Sequence, residues 1–213
     1  MVKLIDVFNK LEKPSTKWTG YFDVYDRHLG KFIGKAPRVL EIGVLGGGSI
    51  EMWHKYFGKG TQTVGIDIDE KCLEYKYDFD AKVILGDQGS PAFWDDFFKE
   101  HGEFDIVIDD GGHTMDQQKV TLEKCFPKLK TGGVLVVEDT HTSYWQNPWG
   151  GGTHRNTFLN TTKELTDAVN KQHHNLLVRS NFDGLYSISY YNSQVVFEKE
   201  ELKPFEIVES PGK

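Results

Sequence analysis

Two stretches concentrate groups able to do chemistry. They are Ile108-Asp109-Asp110-Gly111-Gly112-His113 and Val137-Glu138-Asp139-Thr140-His141, the latter continuing into Thr142-Ser143-Tyr144-Trp145. Asp110, Glu138 and Asp139 close apolar runs expected to be neighbouring strands, so the three carboxylates should converge. That many unpaired negative charges repel one another unless a cation or protons intervene. All-oxygen donors suit a hard cation such as Mg²⁺, with water or substrate hydroxyls completing the shell; Mn²⁺ and Ca²⁺ accept the same ligands. His113 lies three residues past Asp110, and an ordinary histidine pKa of about 6.5 suits work as a general base. A lone histidine at a helix start is usually a capping or surface residue. The acids beside this one favour the catalytic role.

A second constellation lies upstream, in Glu41-Ile42-Gly43-Val44-Leu45-Gly46-Gly47-Gly48-Ser49. Glycines after a strand allow a tight turn and close approach of backbone to a ligand. The spacing is neither the dinucleotide G-x-G-x-x-G nor a P-loop. Asp67 ends the next apolar run and can accept both hydroxyls of a ribose, while Gly86-Asp87-Gln88 offers a side chain for an adenine edge. One glycine-rich turn can be mere turn geometry. With Asp67 and Asp87 in register, a nucleoside cofactor is favoured.

These groups need elements to hold them. Five apolar runs serve: Arg38–Gly43, Thr63–Asp67, Lys82–Asp87, Phe104–Asp110 and Val134–Asp139. Their near-continuous Val/Ile/Leu content suits strands covered on both faces, and the spacers suit crossover helices. Helices are predicted over Ser49–Phe57, Glu70–Tyr77, Pro91–Glu100 and Met115–Leu129, with Lys130-Thr131-Gly132-Gly133 as a helix stop. Two short helices are expected within residues 3–32 and another helix over Thr157–His173. Leu185–Tyr190 and Gln194–Glu198, joined by Tyr191-Asn192-Ser193, read as a hairpin. The expected fold is α/β: a Rossmann-like doubly wound sheet of five parallel strands plus a C-terminal antiparallel β-hairpin. In such a sheet the carboxyl ends of the strands share one edge. Seven acids, Glu41, Asp67, Asp87, Asp109, Asp110, Glu138 and Asp139, are therefore predicted along it. Any one of them could simply cap a helix, but five strands in series make capping alone a poor account.

Composition bounds the rest. With 213 residues the chain fits one domain, an N-terminal helical segment over 1–36, a core over 37–199 and a tail over 200–213. A formal charge of -7 argues against gripping a nucleic-acid backbone. No apolar run approaches the roughly 20 residues that cross a bilayer, and the first residues lack a signal-peptide pattern. Cys72 and Cys125 follow no metal spacing, which leaves a reduced, cytoplasmic setting as the default. A homo-oligomer is left open.

The order of motifs over about residues 37–199 resembles the class I S-adenosylmethionine-dependent methyltransferases. The resemblance implies that Glu41, Gly43, Gly46 and Gly48 hold the methionine part of the cofactor, with Asp67 at its ribose and Asp87 with Gln88 at its adenine. It implies Asp109 near the amino-acid end. Asp-Asp-Gly-x-His followed by Glu-Asp and Thr-Ser-Tyr-Trp looks like the metal-dependent sugar O-methyltransferases of macrolide tailoring, the macrocin and mycinamicin group. That likeness implies Mg²⁺ on Asp110, Glu138 and Asp139, His113 as base, and a sugar or other small-molecule acceptor. Gly112 stands where the group commonly has serine. Thr16-Lys17-Trp18-Thr19-Gly20-Tyr21 is also similar to the group, where this segment closes over the cofactor with Tyr21 and Tyr25 as contacts. Some relatives carry a sizeable extra N-terminal domain, whereas about 35 residues precede the first strand here.

Three rivals stand beside a Mg²⁺-assisted O-methyltransferase. One keeps the cofactor but methylates another acceptor group without metal. The second is a nicotinamide-dependent oxidoreductase, which the failed dinucleotide spacing and the hairpin oppose. The third is a non-catalytic binding module, which would leave His113 without a task. The aromatic, glycine-rich loop over 140–154 is either a lid for a sugar-like acceptor or a packed surface loop.

Overall fold

Residues 2–147, 149–152, 156–178, 180–204 and 206–211 are described by the computed structural model. Within the expected 140–154 loop, Pro148, Thr153 and His154 lie outside the described residues, as do Phe205, Gly212 and Lys213 of the tail. The strands are β1 (Arg38–Ile42), β2 (Gln62–Asp67), β3 (Ala81–Leu85), β4 (Phe104–Asp109), β5 (Leu129–Val137), β6 (Leu185–Tyr191) and β7 (Gln194–Lys199). They form one sheet in the order β3-β2-β1-β4-β5-β7-β6. The first five pair in parallel, and the β6–β7 hairpin adds antiparallel through β7 on β5. The order reverses between β1 and β4, and the crevice beyond the strand ends at such a switch point is where ligands bind.

Alternation along the strands splits the core into two layers. Leu40, Ile42, Val107, Leu135 and Val137 face Trp94, Phe97, Leu122 and Phe126. Val39, Ile106, Ile108, Val134 and Val136 face Leu4, Phe22, Tyr25, Trp53 and Phe57. The second layer is supplied by α1 (Leu4–Phe8), α2 (Tyr21–Leu29) and α3 (Gly48–Phe57), the first by α4 (Pro91–His101) and α5 (Met115–Cys125). Local chemistry sets these helix ends. Ser90 accepts from the Phe93 N–H with Pro91 at the first turn, and Thr114 and Gln117 form a reciprocal capping box on α5.

Four local expectations change. Glu70–Tyr77 makes only a 3₁₀ turn over Glu70–Glu74, because Tyr75, Tyr77 and Phe79 run on to pack against Val44, Ile50 and Cys72. Lys130–Gly133 is no helix stop but the start of β5, where the pairing with β4 jumps from Leu129 to Val134. The glycines allow this irregularity, and Lys130 is fastened to Asp105 at 2.7 Å. The helix expected over Thr157–His173 breaks into α6 (Phe158–Lys163), α7 (Thr166–Val169) and a 3₁₀ turn at Lys171–His173. There Thr161, Thr162 and Thr166 turn their hydroxyls onto nearby carbonyls, which competes with a continuous helix. Tyr191 belongs to β6, leaving a two-residue turn of Asn192 and Ser193. Among the described residues no helix is long and apolar enough to cross a membrane.

Candidate active site

A cavity of about 740 Å³ opens at the carboxyl ends of β1 to β5. At one end lie Gly43, Gly46, Asp67, Asp87 and Gln88, and at the other Asp110, His113, Glu138 and Asp139. The glycine turn is shaped for close approach. Gly43 has φ +91°, and a Cβ there would collide with the Asp110 carbonyl. Asp67 accepts from the N–H groups of Val44 (2.8 Å), Leu45 (3.0 Å) and Asp69 (2.9 Å). Burial pushes its carboxyl up, but those three donors outweigh it and hold the pKa below the ordinary value. Asp87 accepts from the Gly89 N–H at 2.8 Å.

The acidic end is crowded and charged. His113 Nε2 lies 3.4 Å from Asp139 Oδ2 and 3.8 Å from Asp110 Oδ1. Asp110, His113 and Asp139 each present a donor atom, all within 4.8 Å of one another. Glu138 is held by Lys17 Nζ at 2.8 Å and by the Tyr25 hydroxyl, and Lys17 also donates to Asp110. The Lys17 and Glu138 side chains are each 1% exposed. Burial alone would lower the Lys17 pKa; Glu138, Asp110 and Glu41 overcome it and hold the ammonium well above the ordinary lysine value. Burial likewise raises the Glu138 carboxyl, and Lys17 and Tyr25 act against that rise.

Five of the seven expected acids, Asp67, Asp87, Asp110, Glu138 and Asp139, line the cavity. The other two do not. Glu41 and Asp109 are fully buried behind its wall. Glu41 accepts from Trp53 Nε1 at 2.5 Å, and burial pushes its pKa up to about 7. Asp109 accepts from Gln88 Nε2 at 2.9 Å, and burial pushes its pKa up to about 6. Gln88 spends its amide inside the fold: Nε2 goes to Asp109 and Thr121, and Oε1 accepts from the Gly112 N–H at 2.6 Å. That corrects the expectation that the Gln88 side chain is free for an adenine edge. Gly48 packs beneath Pro14, whose carbonyl accepts its N–H at 3.2 Å, rather than facing the cavity. Tyr21 lines the cavity at its acidic end, its hydroxyl donating to Asp139 Oδ1 at 2.5 Å.

Three side chains carry weight that residue spacing did not signal. Lys17 is the first: it is tied to the acids only by long-range folding. Ser193 in the hairpin turn meets both Tyr21 (2.9 Å) and His141 Nδ1 (2.5 Å). Gln118 on α5 donates to the Glu138 carbonyl at 2.9 Å and fixes the tip of β5. Leu45, His113 and Asp139 line the cavity with positive φ (44°, 53° and 52°), backbone strain of the kind that gathers at functional sites. For a divalent cation the donor set fits: carboxylate oxygens of Asp110 and Asp139 converge with a His113 nitrogen, and Asp110 with Glu138 already holds a positive charge in the Lys17 ammonium.

No family model matches the chain. It is 37% identical over 158 residues to the mycinamicin VI 2''-O-methyltransferase of Micromonospora griseorubida, covering 70% of this chain and 39% of that protein. It is 36% identical over 174 residues to the L-olivosyl-oleandolide 3-O-methyltransferase of Streptomyces antibioticus, covering 75% and 44%. Among solved structures, the MycE methyltransferase of the mycinamycin pathway, in complex with Mg, SAH and mycinamycin VI, superposes with a TM-score of 0.81. That match has 29% identity over 93% of this chain and 54% of the other. The chain has the class I methyltransferase fold and resembles the macrolide sugar O-methyltransferases. Its methyltransferase fold spans about two-fifths of the length of these curated relatives. The expected sheet of five parallel strands plus a hairpin is the one observed.

Proposed function

We propose that the protein transfers a methyl group from S-adenosylmethionine to a hydroxyl of a sugar or glycoside, assisted by Mg²⁺ or another hard divalent cation. The observation that carries this is one cavity with a glycine turn and Asp67 at one end and Asp110, His113, Glu138 and Asp139 at the other. When bound, the sulfonium would supply the methyl group, and the cation would draw charge from the acceptor oxygen. Asp67 would hold the ribose hydroxyls, and Gly43 and Gly46 let the backbone lie against the donor. Asp110, Glu138 and Asp139 would hold the cation. His113 Nε2 faces Asp139 and Asp110, so it would take the hydroxyl proton beside the oxygens that would hold the cation. Holding both reactants in line is itself a large part of the rate gain, up to about 7–11 kcal/mol.

A second cavity of about 720 Å³ shares Trp18, Thr19 and Tyr21 with the first and continues to Arg27, His141 and Tyr191. Its aromatic wall supports a role for it in receiving the acceptor. The reading includes a cytoplasmic setting, with which the two buried free cysteines, Cys72 and Cys125, are compatible.

Labelled S-adenosylmethionine offered with mycinamicin VI, demethylmacrocin and simple rhamnosides tests the proposal. Methyl transfer abolished by EDTA and restored by Mg²⁺ is expected. His113→Ala should lower turnover by about 10²–10⁴-fold while S-adenosylhomocysteine still binds. Metal-independent transfer is the second reading, favoured by Lys17, which already neutralises Asp110 and Glu138. Activity undiminished by EDTA would select it.

A further inference from the structure

We propose that Lys17 is a positioning residue that competes with the divalent cation for Asp110 and Glu138, closing the segment 13–21 over the site until metal displaces it. The proposal rests on the metal part of the function proposed above. Lys17 Nζ bridges Asp110 Oδ2 and Glu138 Oε1, oxygens that the cation would need. An ammonium is a compact point charge that strengthens this grip in a desolvated site, and a dication cannot share the same oxygens with it without strong repulsion. The donor atoms that do converge within 4.8 Å come from Asp110, His113 and Asp139 and leave out Glu138, the acid Lys17 holds.

The segment carrying Lys17 is tied at both ends. On one side Glu12 and Lys13 donate their N–H groups to Glu51 at 3.0 Å each, and the Pro14 carbonyl accepts from Gly48. On the other, Tyr21 is fastened to Asp139. Between these anchors, residues 14–19 form one wall of the cavity. Lys17 is thus the contact by which this wall senses the charge of the acidic cluster. Because coupling between two ligands of one site is reciprocal, removing Lys17 must strengthen cation binding, and binding the cation must loosen the wall.

Mn²⁺ titration of the full chain, read by the electron paramagnetic resonance of the free ion, tests the first half. Lys17→Met should bind Mn²⁺ about tenfold more tightly than the parent chain, within the usual range of such couplings. Equal or weaker binding would overturn the competition. Hydrogen exchange of the unaltered protein tests the second half and does not depend on the variant folding. Amides over 13–21 should exchange faster in saturating Mn²⁺, and unchanged or slower exchange would overturn the proposal. Mn²⁺ bound equally by both proteins sinks the competition and leaves metal-assisted transfer standing. Mn²⁺ bound by neither sinks both, while calorimetry with S-adenosylhomocysteine reports separately on the donor pocket.

Discussion

Glu41 shows how residues of one type divide between site and scaffold. Its carboxyl lies inside β1 against Trp53, out of the cavity, and burial raises its pKa from an ordinary 4.5 to about 7. Between those values the folded protein holds a proton that the unfolded chain has released. Its contribution to stability therefore falls as pH rises from about 4.5 to about 7 and is flat above that. Glu41→Gln keeps an acceptor for Trp53 and removes the charge. At about 1.4 kcal/mol per pH unit, the variant should gain on the order of 3–4 kcal/mol at pH 8 and nothing near pH 4. Urea unfolding at both pH values measures this; an equal effect at the two would refute the assigned cause. Residue types and spacing made Asp110, His113, Glu138 and Asp139 legible as one cluster. They did not separate Glu41 and Asp109 from the acids that reach the cavity, because burial behind a wall is set by partners such as Trp53 and Gln88, far away in the chain.

At the scale of elements, the turn after β1 is the most demanding piece. Gly43 combines φ +91° with backbone contact against Asp110, so Gly43→Ala meets both left-handed strain and a collision. Its side chain would push the β1 turn and the β4 tip apart, the two edges of the switch-point crevice. Binding of S-adenosylhomocysteine by calorimetry should weaken by tenfold or more; affinity within twofold of the parent would show that the turn does not shape the donor pocket. The strands were legible because strands covered on both faces read as continuous Val/Ile/Leu runs. The start of β5 was not, since Lys130-Thr131-Gly132-Gly133 has the composition of a turn and pairs irregularly. The β2–β3 connection misled as well: Tyr75, Tyr77 and Phe79 alternate with a period of two and run extended to pack around Val44 and Cys72.

For the whole molecule, the donor end and the acidic end belong to one cavity, so a ligand there joins loops from five strands. S-adenosylhomocysteine at about 100 times its Kd should add about 2.7 kcal/mol. For a chain of this size that raises the melting temperature by about 5–10 °C. NADH should leave it unchanged; stabilisation by NADH instead would return the fold to the oxidoreductase reading. The amino-acid sequence by itself determined the sheet, its hairpin and the chemical classes present: acids closing the strands, a glycine turn, one histidine beside paired aspartates. These follow from local patterns, the alternation and apolar runs that strands require and the turn residues between them. Only the tertiary structure decided which acids reach the cavity and which cation they meet. Lys17 lies 93 residues from Asp110 and 121 from Glu138, and no local pattern couples positions so distant. Their meeting depends on α2 packing under the sheet, which draws the segment before it across the mouth of the site.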